Sequence, residues 1–210
     1  MSAEGMTSKG FVRVVSEMTD WDKLLQIKTT GRDSTRSDQY RYPYEPTPYP
    51  VLERLALSGY MGKKNTLLDY GCGKGRVGFF LSCQTGCRCI GVEYDERIYG
   101  AACENKERSA KGNKTEFINA KAEEYQIPEE ADRFYFFNPF SLEILQKVMG
   151  RIRESWHGRE MFLFFYYPSD EYVAWLMTVD ELLFMDEIDC RDLFDGKDSR
   201  ECILVFQFGY

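Results

Sequence analysis

The chain has 210 residues, of which 43% are apolar and 29% charged. Such a composition excludes a disordered or fibrous chain and fits one domain, or one and a half. The net charge of −7 argues against general attraction to nucleic acid or anionic membrane, although a local basic groove stays open.

No apolar run approaches the roughly 18 residues of a membrane span. Met1 to Phe11 has no basic region followed by an apolar stretch, so no leader is expected there. Seven cysteines, an odd count without framework spacing, point to a reducing, cytoplasmic location. There is no CxxC pair, and His157 stands far from Cys83, Cys87 and Cys89, so no metal site is expected. No repeat of about 20–50 residues is visible.

In chain order, Asp20 caps a short helix carrying Trp21, Leu24, Leu25 and Lys28. Residues 29–41 read as a polar loop. Tyr42 to Pro50 holds four prolines, which predicts an extended path. A helix over Val51 to Ser58 follows, stopped by Gly59. From residue 66 the rhythm is strand, turn, helix. Strands are expected at Thr66–Tyr70, Cys89–Glu93, Glu116–Ile118, Arg133–Phe137 and Met161–Tyr167. Helices are expected from Arg76, after Asp95, from Ser141 and after Pro168. Alternation of this kind means a parallel sheet covered on both faces.

The ending differs. Leu183–Ile188 and Cys202–Phe208 read as strands, with no helical period between them. The simplest join is an antiparallel hairpin. The fold expected is therefore α/β. It is a doubly wound, mostly parallel, seven-stranded sheet with a C-terminal antiparallel β-hairpin, preceded by a helical and extended arm. The arm spans residues 1–61 and the sheet domain 62–210.

Asp69-Tyr70-Gly71-Cys72-Gly73-Lys74-Gly75-Arg76 is the most informative stretch. Glycines at 71, 73 and 75 let a ligand approach backbone N–H groups at a helix N-terminus. The dinucleotide fingerprint would need a glycine where Arg76 stands. Glu93 ends the second strand, where a carboxylate can accept both hydroxyls of a ribose.

The acid, the three glycines and Glu93 together resemble the class I S-adenosylmethionine (SAM)-dependent methyltransferases, over about residues 62–208. The resemblance implies SAM as cofactor. Gly71, Gly73 and Gly75 would pass under its methionine and ribose parts. Asp69 would hold its ammonium group and Glu93 its ribose. Tyr94 would lie beneath the adenine, and a strand-end packing role is the other reading of that residue. Where the family often has an acid near the adenine amino group, Lys121 aligns, so Ala122 and Glu123 become the candidate contacts.

The fourth strand ends in Asn138-Pro139-Phe140. This resembles the Asn/Asp-Pro-Pro-Tyr/Phe motif of amino-group methyltransferases, short of one proline. The resemblance gives Asn138 and the Pro139 carbonyl to the acceptor amine and sets Phe140 beside it. A plain strand-to-helix turn fits the same residues. Tyr167 and Glu45 are candidate proton acceptors. Tyr42, Tyr44, Glu45 and Thr47 on the proline-tyrosine arm are candidate acceptor contacts. That arm before a glycine turn closed by arginine also loosely resembles the seven-strand protein-lysine methyltransferases.

The reading is a methyltransferase acting on a nitrogen of a protein side chain or small amine. A non-catalytic SAM-binding module, an O-methyltransferase and a nicotinamide oxidoreductase are the alternatives. The methyl acceptor, the oligomeric state and any nucleic-acid partner are left open by the residues.

Overall fold

The computed structural model describes residues 19–35, 39–110 and 112–209. The expected absence of a leader at Met1 to Phe11 lies outside them.

The arm contributes two helices, α1 (Trp21–Leu25) and α2 (Tyr49–Leu57). Asp20 caps α1 by accepting the Lys23 N–H at 3.1 Å. Lys28 falls outside this helix. Helix α2 starts two residues earlier than expected, because Tyr49 and Pro50 lie inside its first turn. A proline is tolerated there, where its missing N–H has no helical partner to lose. The extended path therefore ends at Pro48.

The sheet holds β1 (Thr66–Tyr70), β2 (Arg88–Glu93), β3 (Thr115–Asn119), β4 (Arg133–Phe136), β5 (Met161–Tyr166), β6 (Leu182–Asp189) and β7 (Cys202–Phe208). Their order is β3-β2-β1-β4-β5-β7-β6. Strands β1 to β5 pair in parallel, and β7 pairs antiparallel with both β5 and β6. Thus β7 slots between β5 and β6, and six strands point one way. The closing hairpin is as the missing crossover helix implies.

Helices α3 (Arg76–Thr85), α4 (Glu96–Arg108), α5 (Leu142–Ser155) and α6 (Asp170–Leu176) join the strands. Strand residues alternate between two cores. On β5, Phe162, Phe164 and Tyr166 face the core shared with α1, α2 and α3. Met161, Leu163 and Phe165 face the core shared with α5 and α6. Trp21, Leu25, Val51, Leu52 and Leu55 of the arm belong to the first core, packed with Phe79 and Phe80. Burying such a side chain is worth about 1.5–3 kcal/mol, so the arm helices are held by the sheet domain's own core.

No helix among the described residues is long and apolar enough to cross a membrane.

Candidate functional site

A cleft opens beyond the carboxyl ends of β1, β2 and β4, the place where open α/β sheets bind ligands. Its floor includes Asp69, Gly71, Cys72 and Glu93. Tyr94, Ala122 and Glu123 line it after β2 and β3, and Tyr42, Tyr44, Glu45 and Thr47 line it from the arm. Pro139 and Phe140 line it from the end of β4.

The glycine turn is shaped by what touches it. Gly71 and Gly73 have φ of +70° and +56°. A Cβ on Gly71 would stand 2.5 Å from Pro139 Cβ, and one on Gly73 would run into the Tyr44 ring. Only glycine leaves room for these two neighbours at a left-handed backbone. Gly75 caps α3 at φ +87°, facing Phe117 and Phe79 rather than the cleft.

Two carboxylates sit at the floor. Glu93 accepts the Gly73 N–H at 2.9 Å and the Asp95 N–H at 2.8 Å. Asp69 is 2% exposed, and its Oδ2 is buried with no hydrogen-bond partner. Burial, reinforced by the nearby Glu93 charge, pushes the Asp69 carboxyl up to about 8. A buried acceptor without a donor is costly, unless a ligand supplies one. Glu123 Oε2 is a second such atom on the adenine side of the cleft. These two orphan oxygens and the glycine cradle fit a cofactor with an ammonium group at one end and an amino-bearing ring at the other.

Lys121 turns away to pair with Glu124 at 2.7 Å. Glu123 and Ala122 reach the cleft instead. Lys74 donates to the Thr30 carbonyl at 3.0 Å and lies 4.9 Å from the Tyr44 ring centre, so it braces the arm.

The residues expected at the acceptor are split by the structure. Asn138 does not line the cleft. Its Nδ2 donates to the Tyr167 carbonyl, and its Oδ1 accepts the Ser169 N–H at 3.1 Å. The carboxamide thus ties the end of β4 to the end of β5, from a backbone at φ +38°. The Pro139 carbonyl accepts the Tyr42 N–H at 3.3 Å. Phe140 is 4% exposed, edge-on to Tyr70 and Phe136, with one side on the cleft. Its place combines the core role and the cleft-facing role.

Tyr167 does not reach the crevice either. Its hydroxyl donates to Asp198 at 2.6 Å and accepts from Arg200 at 2.5 Å, in the loop between β6 and β7. The Asp198 hydrogen bond, aided by burial, holds that phenol above its usual range, the wrong direction for a base. Tyr166 is spent on Glu201 at 2.8 Å. Glu45, with its side chain 55% exposed and 3.9 Å from Arg32, is the proton-acceptor candidate that lines the cleft.

Sequence reasoning missed Arg76, Tyr135, Phe137 and Arg41. Arg76 is 8% exposed and donates to Thr29 Oγ1 at 2.7 Å and to the Thr47 carbonyl at 3.2 Å. A signal existed: a cation at the first position of a helix opposes the dipole, so something must hold it there. Tyr135, on β4, meets Thr47 Oγ1 at 3.0 Å beneath the arm. Phe137 lines the cleft between Tyr166 and Tyr167. Arg41 sits in a polar run with no periodicity to expose it.

Residues 67–155 match the family model described as a methyltransferase domain. Among solved structures, a putative methyltransferase, yhhF, from Escherichia coli superposes with a TM-score of 0.61 at 15% identity, covering 86% of this chain and 99% of that one. An RNA methyltransferase from Salinibacter ruber in complex with S-adenosyl-L-homocysteine gives 0.51 at 20% identity, covering 78% and 92%. A TehB-like SAM-dependent methyltransferase from Corynebacterium glutamicum gives 0.55 at 16% identity, covering 76% and 88%. No curated protein sequence matches the chain. The seven-strand order and the closing antiparallel strands are those of the class I SAM-dependent methyltransferase fold, and residues 67–155 within it, which carry the glycine turn, match a methyltransferase domain.

Proposed function

We propose that this methyltransferase acts on a nitrogen, an amine on a protein side chain or a small molecule. The supporting observation is the acceptor side of the cleft, where Tyr42, Tyr44, Tyr135 and Phe137 accompany the carboxylate of Glu45. Aromatic faces with one acid suit an alkylammonium group.

The cofactor supplies an activated methyl group on a positively charged sulfur. The chain's own residues then have simple duties. Gly71 and Cys72, which line the cleft at the glycine turn, would lie along the methionine and ribose parts. The orphan oxygen of Asp69 accepts from the ammonium group, and Glu93 accepts from the ribose hydroxyls. Tyr94 and Glu123 seat the adenine, Glu123 through its orphan oxygen. The arm from Tyr42 to Thr47 excludes water. Pro139 and Phe140 wall the acceptor. Glu45 takes the proton that an ammonium must lose before it attacks. Asn138 serves indirectly, by fixing the turn that carries Pro139.

A second reading is methyl transfer to a hydroxyl of a small metabolite. The engaged carboxamide of Asn138 favours it, because the amine-binding oxygen already holds Ser169. The seven free thiols support a reducing compartment for either reaction.

The test is release of S-adenosylhomocysteine by the full chain, with SAM plus lysine-bearing peptides, small amines or catechols. Turnover with amines, lost in Glu45→Gln at pH 7 and partly regained at higher pH, supports nitrogen transfer. Turnover with catechols alone moves the assignment to oxygen.

A further inference from the structure

The guanidinium of Arg41 lies 4.2 Å from the centre of the Tyr94 ring. Its Nη2 donates to Glu123 Oε1 at 2.9 Å. These are the two residues given above to the adenine. A guanidinium is flat, delocalised and rich in nitrogen, with N–H groups in its own plane. The 6-amino end of an adenine offers the same pair of features: a flat face for an aromatic ring, and in-plane N–H for a carboxylate. Arg41 therefore covers the ring face that the proposed seat offers to adenine and holds the same carboxylate by Oε1, beside the orphan Oε2. One stacking distance separates the guanidinium from the ring, so a base cannot enter between them.

We propose that Arg41 is an internal stand-in for the adenine, which the cofactor displaces to seat on Tyr94 and Glu123. This rests on the adenine seat of the preceding section. It adds a residue to the binding step that no motif identifies.

The way Arg41 is presented suits exchange. The arm is anchored by main-chain bonds on either side of it: the Tyr42 N–H reaches the Pro139 carbonyl at 3.3 Å, and the Ser141 N–H reaches the Tyr40 carbonyl at 2.8 Å. Arg41 and Phe140 form an antiparallel bridge there. None of these bonds uses the guanidinium. The side chain can leave Tyr94 while the arm stays bridged to the end of β4. A ligand that competes with a bound internal group has its apparent affinity reduced by the fraction of protein in which that group is away. An aromatic contact plus a part-buried ion pair makes that reduction about tenfold.

The sign of the effect separates this role from a supporting one. Calorimetric titration of the full chain with S-adenosylhomocysteine would compare the parent with Arg41→Ala. The expected result is binding about tenfold tighter in Arg41→Ala. Arg41→Gln keeps an in-plane N–H without the charge and is expected to fall between them. Equal or weaker binding in both variants overturns the inference, because a residue that merely supports the site loses affinity when removed. Tyr94→Ala, made on the Arg41→Ala background where the competitor is gone, checks the seat itself. Weakening there of tenfold or more supports it. No weakening places the adenine elsewhere and removes both the seat and the stand-in, whereas weakening without the Arg41→Ala gain removes the stand-in alone.

Discussion

Glu93 accepts the amide hydrogen of Gly73 at 2.9 Å and so ties the end of β2 to the glycine turn after β1. Its other oxygen takes the Asp95 N–H at 2.8 Å. The carboxylate is pinned before any ribose meets it, and carboxylate oxygens have lone pairs to spare for two hydroxyls. Glu93→Ala should weaken S-adenosylhomocysteine binding tenfold or more. It should also lower stability by about 2–3 kcal/mol, since two hydrogen bonds to one charged group are lost. For a chain of this size that is about 4–12 °C in melting temperature. Unchanged melting with lost binding would show that the tie to Gly73 carries no stability.

The contact between Gly73 and Tyr44 offers a cycle. Gly73→Ala forces a side chain into the Tyr44 ring and onto a left-handed backbone. The expected cost is about 2–4 kcal/mol, from strain and overpacking together. Tyr44→Ala on the same chain removes the clash and leaves the backbone strain. The double variant should therefore be less destabilised than the two single costs sum to, by about 1 kcal/mol or more. Additive costs in chemical denaturation would mean that the arm does not rest on the turn.

The sheet was readable because its signals are local. The five-residue strand Thr66–Tyr70, the glycines after it and the joining of the last two strands without an α-helix, only a 3-10 turn at Arg191–Leu193, each follow from adjacent residues. The same held for Asp69 and Glu93, whose places at strand ends are set by the turn and the next strand. Asn138 and Tyr167 failed the same reasoning for a physical reason. Their side chains are committed to partners about 30 residues away, at Ser169 and in the loop holding Asp198, and no periodicity encodes that pairing. Arg41 and Arg76 escaped notice likewise, since their partners lie across the fold.

The acid at the floor predicts a pH dependence. Burial first, and then the Glu93 charge, raise Asp69 to about 8, and burial raises Glu93 as well. Cys72, Cys89 and Tyr135, the other titratable groups around Asp69, are all held above their usual values by burial, so they stay neutral here. Between the ordinary carboxyl value of 3.8 and about 8 the folded chain keeps a proton that the unfolded chain has released. Folding stability from this group therefore falls as pH rises through that window. An ammonium-bearing ligand favours the ionised form, so S-adenosylhomocysteine affinity should rise from pH 6 to 8, with proton release on binding. Asp69→Asn should flatten both trends. Calorimetry in buffers of different ionisation enthalpy reads the proton directly, and an Asp69→Asn chain that still releases it would assign the proton to another group.

Arg76 is the bolt between the arm and the glycine turn. It reaches Thr29 and the Thr47 carbonyl, lies 3.7 Å from Asp22, and sits 4.4 Å from the Tyr49 ring centre. Removing it leaves Asp22 part-buried without its cation, although Thr29 and Tyr49 still donate to that carboxylate. Breaking a buried pair from one side costs about 3–5 kcal/mol, and the donors that remain place Arg76→Ala at the lower end. Arg76→Lys keeps the charge but loses the planar fork that spans Thr29 and Thr47, so its loss should be smaller. Limited proteolysis should cut between Thr29 and Thr47 faster in Arg76→Ala than in the parent, while the sheet from residue 66 onward stays protected. If cleavage instead speeds up evenly along the whole chain, Arg76 supports the fold at large rather than the arm. If neither stability nor cleavage changes, the arm is held by its helices in the core and by the bridge to Phe140.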